Sequence, residues 1–343
     1  MASPKSILVI IVARIGDTLL ATPAIRALKE TYPSARITVL AHPNRKCLLE
    51  NLPFIDTLGT ITKQRALFQG RFWFAATFDV GLVYGNDRPL IDYASRVCRQ
   101  VIAFQDKAAL PNPRLLAVAR HGTQHAVGER LELAKAAGAA TDNLALDYVV
   151  SAREHDAAAA MLEQLFPNKA MPVIGLQVCS FPTKAHRDWP IAHFSDLINR
   201  ISASYPRARF LILGDQLAAS KASPLLEMYA GRVQSAAGHT TLRESAAIIS
   251  LLDLYIGVDT GPTHIAGALG VNMVALYHGA YPGRNLAPLN RPRCRVIEHP
   301  LTGKAGAAAA NMSDISVDQV FQQANQLLQA AVPREQPLLT EDD

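Results

Sequence analysis

Short runs of β-branched apolar residues alternate with stretches of helical period along most of the chain. In the first half the runs 6–13 (SILVIIVA), 36–41 (RITVLA), 78–83 (FDVGLV) and 100–104 (QVIAF) read as buried strands. A strand covered on both faces carries apolar side chains at consecutive positions rather than at alternate ones. Helices fit 18–31, 43–51, 88–97 and 128–138. The second half repeats the pattern, with strands at 172–178, 208–213, 253–257 and 271–276 and helices at 191–204, 217–230, 241–251 and 263–269. Such alternation predicts an α/β protein with two doubly wound parallel sheets. An Ala-rich helical segment over 152–165 ends at FPNKAMP, which sets the join near 166–171. The expected domains are 1–168 and 169–332, with a last amphipathic helix over 315–331 and a flexible tail over 333–343. The stretch 303–310 (GKAGAAAA) also reads as flexible. Two such units predict a ligand cleft between them.

Composition agrees with two packed cores: of 343 residues, 49% are hydrophobic and 18% charged, which excludes a disordered chain. The net charge of +5 is unevenly spread, because residues 1–150 hold 18 basic and 12 acidic side chains, and 61–120 alone hold 9 and 4. An anionic partner is therefore expected on the first half. Nucleic acid is a poor fit, since no recognised binding motif accompanies the basic residues. Cys47, Cys98, Cys179 and Cys294 are widely spaced, without a CxxC pair, and read as small apolar fillers in a reducing compartment. The first apolar run reads as a buried strand rather than as a signal segment: only Lys5 precedes it, and Arg14 and Asp17 follow where a cleavage site is expected. No run of 18 apolar residues predicts a membrane span.

In doubly wound sheets ligands bind beyond the carboxyl ends of the strands, so the loops after strands carry the candidate chemistry. The loop Ala13-Arg14-Ile15-Gly16-Asp17-Thr18 offers a carboxylate at a helix start. Asp17 either points toward the cleft or serves as an N-cap. The loop Gly257-Val258-Asp259-Thr260-Gly261-Pro262-Thr263-His264 also joins strand to helix. It is either a phosphate site built from free amides, the helix dipole and the hydroxyls of Thr260 and Thr263, or a capped turn. In the loop Ser180–Pro190, Lys184 and Arg187 either neutralise a diphosphate or are simply solvated.

Taken together, RIGDTLLATPAIRALKETYP near the start, PTK and WPIAHFSDLI in the middle, and GVDTGPTHIAGALGVNMVALYHGAYPGRN near the end resemble glycosyltransferase family 9, the ADP-heptose:lipopolysaccharide heptosyltransferases. The blocks keep the family's order and spacing over about residues 6–290. The resemblance implies a GT-B fold, two Rossmann-like domains whose parallel sheets face a central cleft, with acceptor on the first and nucleotide sugar on the second. It also implies inversion at the anomeric centre without a metal. Residue by residue, Asp17 falls on the family's general base, and Thr183 and Arg187 on the positions holding the donor phosphates. Arg187 stands where the family commonly has Lys, and Lys184 is a second cation beside it. Asp259, Thr260, Gly261 and His264 match the loop that cradles the diphosphate. Family members often carry an acidic residue near the nucleoside after the third strand's Gly turn; Gly214 and Asp215 are the nearest here. Tyr277-His278-Gly279 departs from the family's Phe-Gly-Pro. Among the basic residues of the first half, Arg14, Arg65, Arg88 and Arg120 are the acceptor-binding candidates, with Phe72, Trp73, Phe74 and Phe78 as a sugar- or lipid-facing group.

The residues themselves fit displacement chemistry. A sugar hydroxyl needs a carboxylate to remove its proton as the new bond forms. One such group suffices when the leaving group is a diphosphate whose charge is matched by fixed donors. No Asp-x-Asp pair that would bridge a metal occurs in a strand-end loop. Joined to the resemblance, which implies the sugar, donor and acceptor, this gives the expected protein as an inverting, metal-independent and cofactor-free transferase moving heptose from ADP-heptose to the lipopolysaccharide core. It is expected to be a cytoplasmic monomer that touches the anionic face of the membrane. Two other readings stay open: a relative using another sugar or acceptor, and a binding module that has lost catalysis.

Overall fold

The apolar runs become the central strands of two parallel six-stranded sheets. A computed structural model describes residues 3–68, 77–104, 112–120, 122, 124–167 and 171–330, and the backbone of 339–340. The aromatic group Phe72, Trp73 and Phe74 lies outside the described residues, as does the expected tail 333–343 apart from that backbone pair. The first sheet contains β1 (Ser6–Ile11), β2 (Arg36–Ala41), β3 (Thr57–Thr60), β4 (Phe78–Tyr84), β5 (Cys98–Phe104) and β6 (Leu115–Val118), in the order β3-β2-β1-β4-β5-β6. A short strand β7 (Val150–Ser151) precedes the second sheet. That sheet contains β8 (Val173–Gln177), β9 (Arg209–Ile212), β10 (Val233–Ser235), β11 (Leu254–Val258), β12 (Met273–Tyr277) and β13 (Cys294–Glu298), in the order β10-β9-β8-β11-β12-β13. The pair β14 (Leu339–Thr340) lies parallel to β7. Both orders are the doubly wound one, with the direction of winding reversing beside β1 and beside β8.

Within the two six-stranded sheets, the strands that the apolar-run pattern missed are β3, β6, β10 and β13, the four edges; the short pair β7 and β14 was missed as well. An edge strand lies against fewer neighbours; β6, for example, has no fully buried residue, whereas Ile7 to Ile11 of β1 are wholly buried. Two expected helices are broken. The segment 18–31 forms Ile15–Leu19 and Thr22–Thr31, and 217–230 forms Gln216–Lys221 and Ser223–Met228. Pro23 and Pro224 each lack the amide, and each ring would meet the carbonyl four residues back, which ends the preceding helix. Segment 43–51 is a 3₁₀ helix, Pro43–Leu49. Stretch 303–310 is not featureless: Ala307 and Ala309 donate to the carbonyls of Lys304 and Gly306, closing turns around a short 3₁₀ segment.

The chain forms two compact units, Met1–Tyr148 and Val149–Asp343. The helix Ala152–Leu165, on the N-terminal side of the expected boundary near 168, packs in the second unit against the helix Leu242–Ser250, and the two are tied by an Arg243–Glu154 ion pair. Cys98 and Cys179 are buried while Cys47 and Cys294 are half-buried, so only two of the four are fully enclosed fillers. Burial pushes the Cys98 thiol up to about 12 and the Cys179 thiol up to about 11. Among the described residues, no helix is long and apolar enough to cross a membrane.

Close packing sets the position of the helix Gly261–Ala268. A Cβ on Gly267 would lie 2.1 Å from Cγ of Pro288, and neither a ring nor a helix backbone yields that much. Gly267→Ala is expected to destabilise the protein by about 1–3 kcal/mol, measurable by urea unfolding; an unchanged midpoint would show that the helix shifts freely.

Candidate functional site

In the first unit the winding reverses between β1 and β4, and the helix Ile15–Leu19 starts at the end of β1. Its N-cap is Arg14, whose side chain makes no capping bond. Asp17 is the third helical residue, so the capping reading of Asp17 does not hold. Gly16 also lies inside this helix and is not among the residues with positive φ, so it does not make the sharp turn expected of it. The Asp17 carboxylate is 47% exposed, and its Oδ1 accepts from a terminal nitrogen of Arg130 at 2.6 Å. Arg130 also donates from Nε to the Asp17 carbonyl at 3.3 Å and from Nη1 to the Ala126 carbonyl at 2.8 Å. Three bonds therefore fix the guanidinium, and one of them fixes the carboxylate.

Asp17 lines a cavity of about 460 Å³ with Arg14, Tyr84, Arg120, Glu129 and Arg130 among its walls. Arg120 pairs with Glu129 at 3.5 Å and lies 4.8 Å over the Phe104 ring. Of the four acceptor candidates the fold brings Arg14 and Arg120 to this cavity. Arg65 is exposed on the helix Lys63–Phe68, and Arg88 is paired with Asp92 one turn along its own helix; neither lines the cavity. The Tyr84 hydroxyl is buried without a partner, and burial pushes its pKa up against the opposing pull of Arg130. Arg130 and Tyr84 escaped the sequence reading. Arg130 is 113 positions from Asp17, in a helix whose local pattern says nothing about its partner.

In the second unit the reversal falls between β8 and β11, and the two remaining loops follow those strands. Asp188 closes the first loop on itself. Its Oδ1 accepts from the Ser180 amide at 2.7 Å and hydroxyl at 2.6 Å, and its Oδ2 from Lys221 at 2.5 Å. Trp189 anchors the loop's end, 1% exposed, with its indole donating to the Ile315 carbonyl at 2.9 Å. Thr183, Lys184 and Arg187 thus stand on a held segment, Pro182–Arg187, made of two 3₁₀ turns that meet at a kink at Lys184.

Arg187 reaches into the second loop and donates to Oδ2 of Asp259 at 3.1 Å, with side-chain exposures of 14% and 6%. The His264 Nε2 lies 3.6 Å from the other Asp259 oxygen, and its Nδ1 is buried without a partner. Thr260 is the N-cap of the helix Gly261–Ala268 but makes no side-chain capping bond. The side-chain cap therefore fails at Thr260; Pro262 has no N–H and the Thr263 and His264 amides donate to the Thr260 carbonyl at 3.1 and 3.4 Å, so the helix start keeps its dipole and the Gly261 amide for an anion. Thr263 is a correction in the other direction: its hydroxyl is wholly buried and spent on the Val258 carbonyl at 2.6 Å and Tyr255 at 2.9 Å. Gly214 turns with φ +122°, and a Cβ there would sit 2.8 Å from that of Ala218. Asp215 is the N-cap of the next helix, accepting from the Leu217 and Ala218 amides at 3.1 and 3.2 Å. Among the described residues, no three His, Cys, Asp or Glu side chains gather where a metal ion could be held.

The comparisons with known proteins agree with this architecture. The lipopolysaccharide core heptosyltransferase OpsX of Haemophilus influenzae is 23% identical over 308 residues, 84% of this chain and 83% of its own. A glycosyl transferase family 9 structure from Veillonella parvula superposes with a TM-score of 0.82 at 20% identity, covering 94% of this chain and 97% of that one. The ADP-heptose lps heptosyltransferase II of E. coli does so with a TM-score of 0.75 at 20% identity, covering 94% and 98%. The two parallel sheets are those of GT-B-type α/β enzymes. The sequence model of glycosyltransferase family 9 (heptosyltransferase) matches residues 99–300, from β5 through to the end of β13. With more than half of its length matched, the chain belongs to glycosyltransferase family 9 and is a glycosyltransferase.

Proposed function

We propose that this enzyme transfers heptose from ADP-heptose to a hydroxyl of the lipopolysaccharide inner core with inversion, Asp17 acting as general base. The observation that carries the reading is the Arg187–Asp259 pair beside the uncapped start of the helix Gly261–Ala268. A guanidinium already fixed next to the Gly261 amide and a helix dipole is suited to the charge that grows on a departing diphosphate. Thr183, Lys184, Thr260, Gly261 and His264 complete the donor site in this reading, with Gly214 and Asp215 toward the nucleoside. No metal bridge is called for, because these groups supply the positive potential. Related proteins named for heptose transfer to lipopolysaccharide support the choice of sugar and acceptor.

On the acceptor side, the carboxylate of Asp17 is held at one oxygen by Arg130 and half exposed, which leaves it able to accept a proton from a sugar hydroxyl. Arg14 and Arg120 in the same cavity would meet phosphates or carboxylates of the inner core. In this reading the enzyme works as a monomer in the cytoplasm, at the anionic face of the membrane where its acceptor is held; the basic excess of residues 1–150 supports the contact with that face.

Incubation with ADP-heptose and a heptose-free core acceptor tests the proposal. Stoichiometric ADP release, a product heavier by one heptose, and an inverted anomeric signal are expected. Release of ADP without a heptose adduct, or retention, would overturn it. Arg130→Gln is expected to lower kcat on the order of tenfold, because the carboxylate loses its fixed aim, with the KM for ADP-heptose unchanged. A shift in KM alone would show that Arg130 does not act through Asp17.

A further inference from the structure

The turn after β12 carries a side chain that the donor-site residues already use. His278 builds the turn: its Nδ1 accepts from the Ala280 amide at 3.1 Å and its Nε2 donates to the Ala310 carbonyl at 2.9 Å. One nitrogen accepting and the other donating defines the neutral Nε2–H tautomer. The His278 carbonyl then accepts from the Tyr281 amide at 2.9 Å. The segment expected to be flexible is the buttress, since a Cβ on Gly279 would come within 2.9 Å of the Ala307 carbonyl oxygen. So supported, the Tyr281 ring lies with its centroid 3.5 Å from Cζ of Arg187 and 5.4 Å from Nζ of Lys184.

We infer that Tyr281 is a positioning residue for the donor's pyrophosphate, holding the Arg187 and Lys184 cations together before the nucleotide sugar binds. The inference rests on the donor-site reading above. Two like charges near one ring repel each other unless something negative lies between them, and the ring face supplies that potential. Interaction is mutual: the nearby Arg187 cation, and then that of Lys184, hold the phenol below its ordinary pKa. Arg187 is thereby gripped from two sides, by Asp259 and by the ring, and a cation already ordered loses less freedom when a diphosphate arrives.

Calorimetric titration of ADP, inorganic pyrophosphate and adenosine into the parent, Tyr281→Phe and Tyr281→Ser decides the matter. Tyr281→Phe keeps the ring and loses the phenol oxygen, and is expected to weaken ADP and pyrophosphate about threefold; Tyr281→Ser loses both and is expected to weaken them about tenfold or more. Adenosine affinity should stay at the parent value in both. Unchanged pyrophosphate binding in the two variants overturns the inference, as does an equal loss for adenosine, which would make Tyr281 a nucleoside contact. If Tyr281→Ser fails to fold, Tyr281→Leu, which keeps an apolar bulk without the ring face, takes its place with the same expected loss, and unchanged pyrophosphate binding in it overturns the inference. Failure of the parent to bind ADP would instead sink the donor-site reading, a result that no outcome confined to the variants can mimic.

Discussion

Replacing Asp17 with asparagine is expected to lower kcat by about 10²–10⁴-fold while leaving ADP binding as in the parent. The substitution keeps the side chain's shape and its ability to accept from Arg130 but removes the group that takes the hydroxyl proton. Because the carboxylate is 47% exposed and caps nothing, little stability should be lost with it. Steady-state ADP release gives kcat, and calorimetry on the same sample gives donor affinity. Turnover at the parent rate would show that another group, or water, is the base.

The second large effect is expected at Arg187. Its removal leaves the Asp259 carboxylate, 6% exposed, without the cation that offsets its desolvation, and an uncompensated buried charge costs about 3–5 kcal/mol. Arg187→Ala should therefore lower the urea midpoint as well as kcat, the latter by about 10²–10³-fold if the guanidinium meets the leaving phosphate. The double variant Arg187→Ala with Asp259→Asn separates the two effects. It should regain most of the stability, since the orphaned charge is gone, and none of the turnover. Recovery of both would mean that the pair is structural only. Arg187→Lys should recover stability in part, because the ammonium keeps the charge but not the planar fork or its stacking on Tyr281.

The parts of the molecule legible in one dimension are those whose physics is local. Central strands β1, β8, β9, β11 and β12 are buried at nearly every position, and β4 and β5 over their last four residues, and so appear as apolar runs, while β2 alternates between buried and half-buried positions. The edges β3, β6, β10 and β13 form no such runs, because half-covered short strands resemble loops. Helix stops at Pro23 and Pro224 were there to be read, but the apolar period continues through both prolines and masks them. The candidate loops were found because ligand loops follow central strands at the winding reversal, a rule that needs only the order of the elements.

The amino-acid order by itself determined the two-sheet α/β class, the family, and the placing of Asp17, Arg187 and the Asp259–His264 loop at strand ends. Only the tertiary structure decided which groups those residues meet. Arg187 finds Asp259 across 72 positions, Asp17 finds Arg130 across 113, and Tyr281 closes over Arg187 from a different strand end. It also separated Thr260, whose helix start lacks a side-chain cap, from Thr263, whose hydroxyl is consumed inside. Periodicity and turn chemistry act over a few residues, whereas the partner of a charge is set by which strands lie side by side, and that order exists only once the sheets have formed.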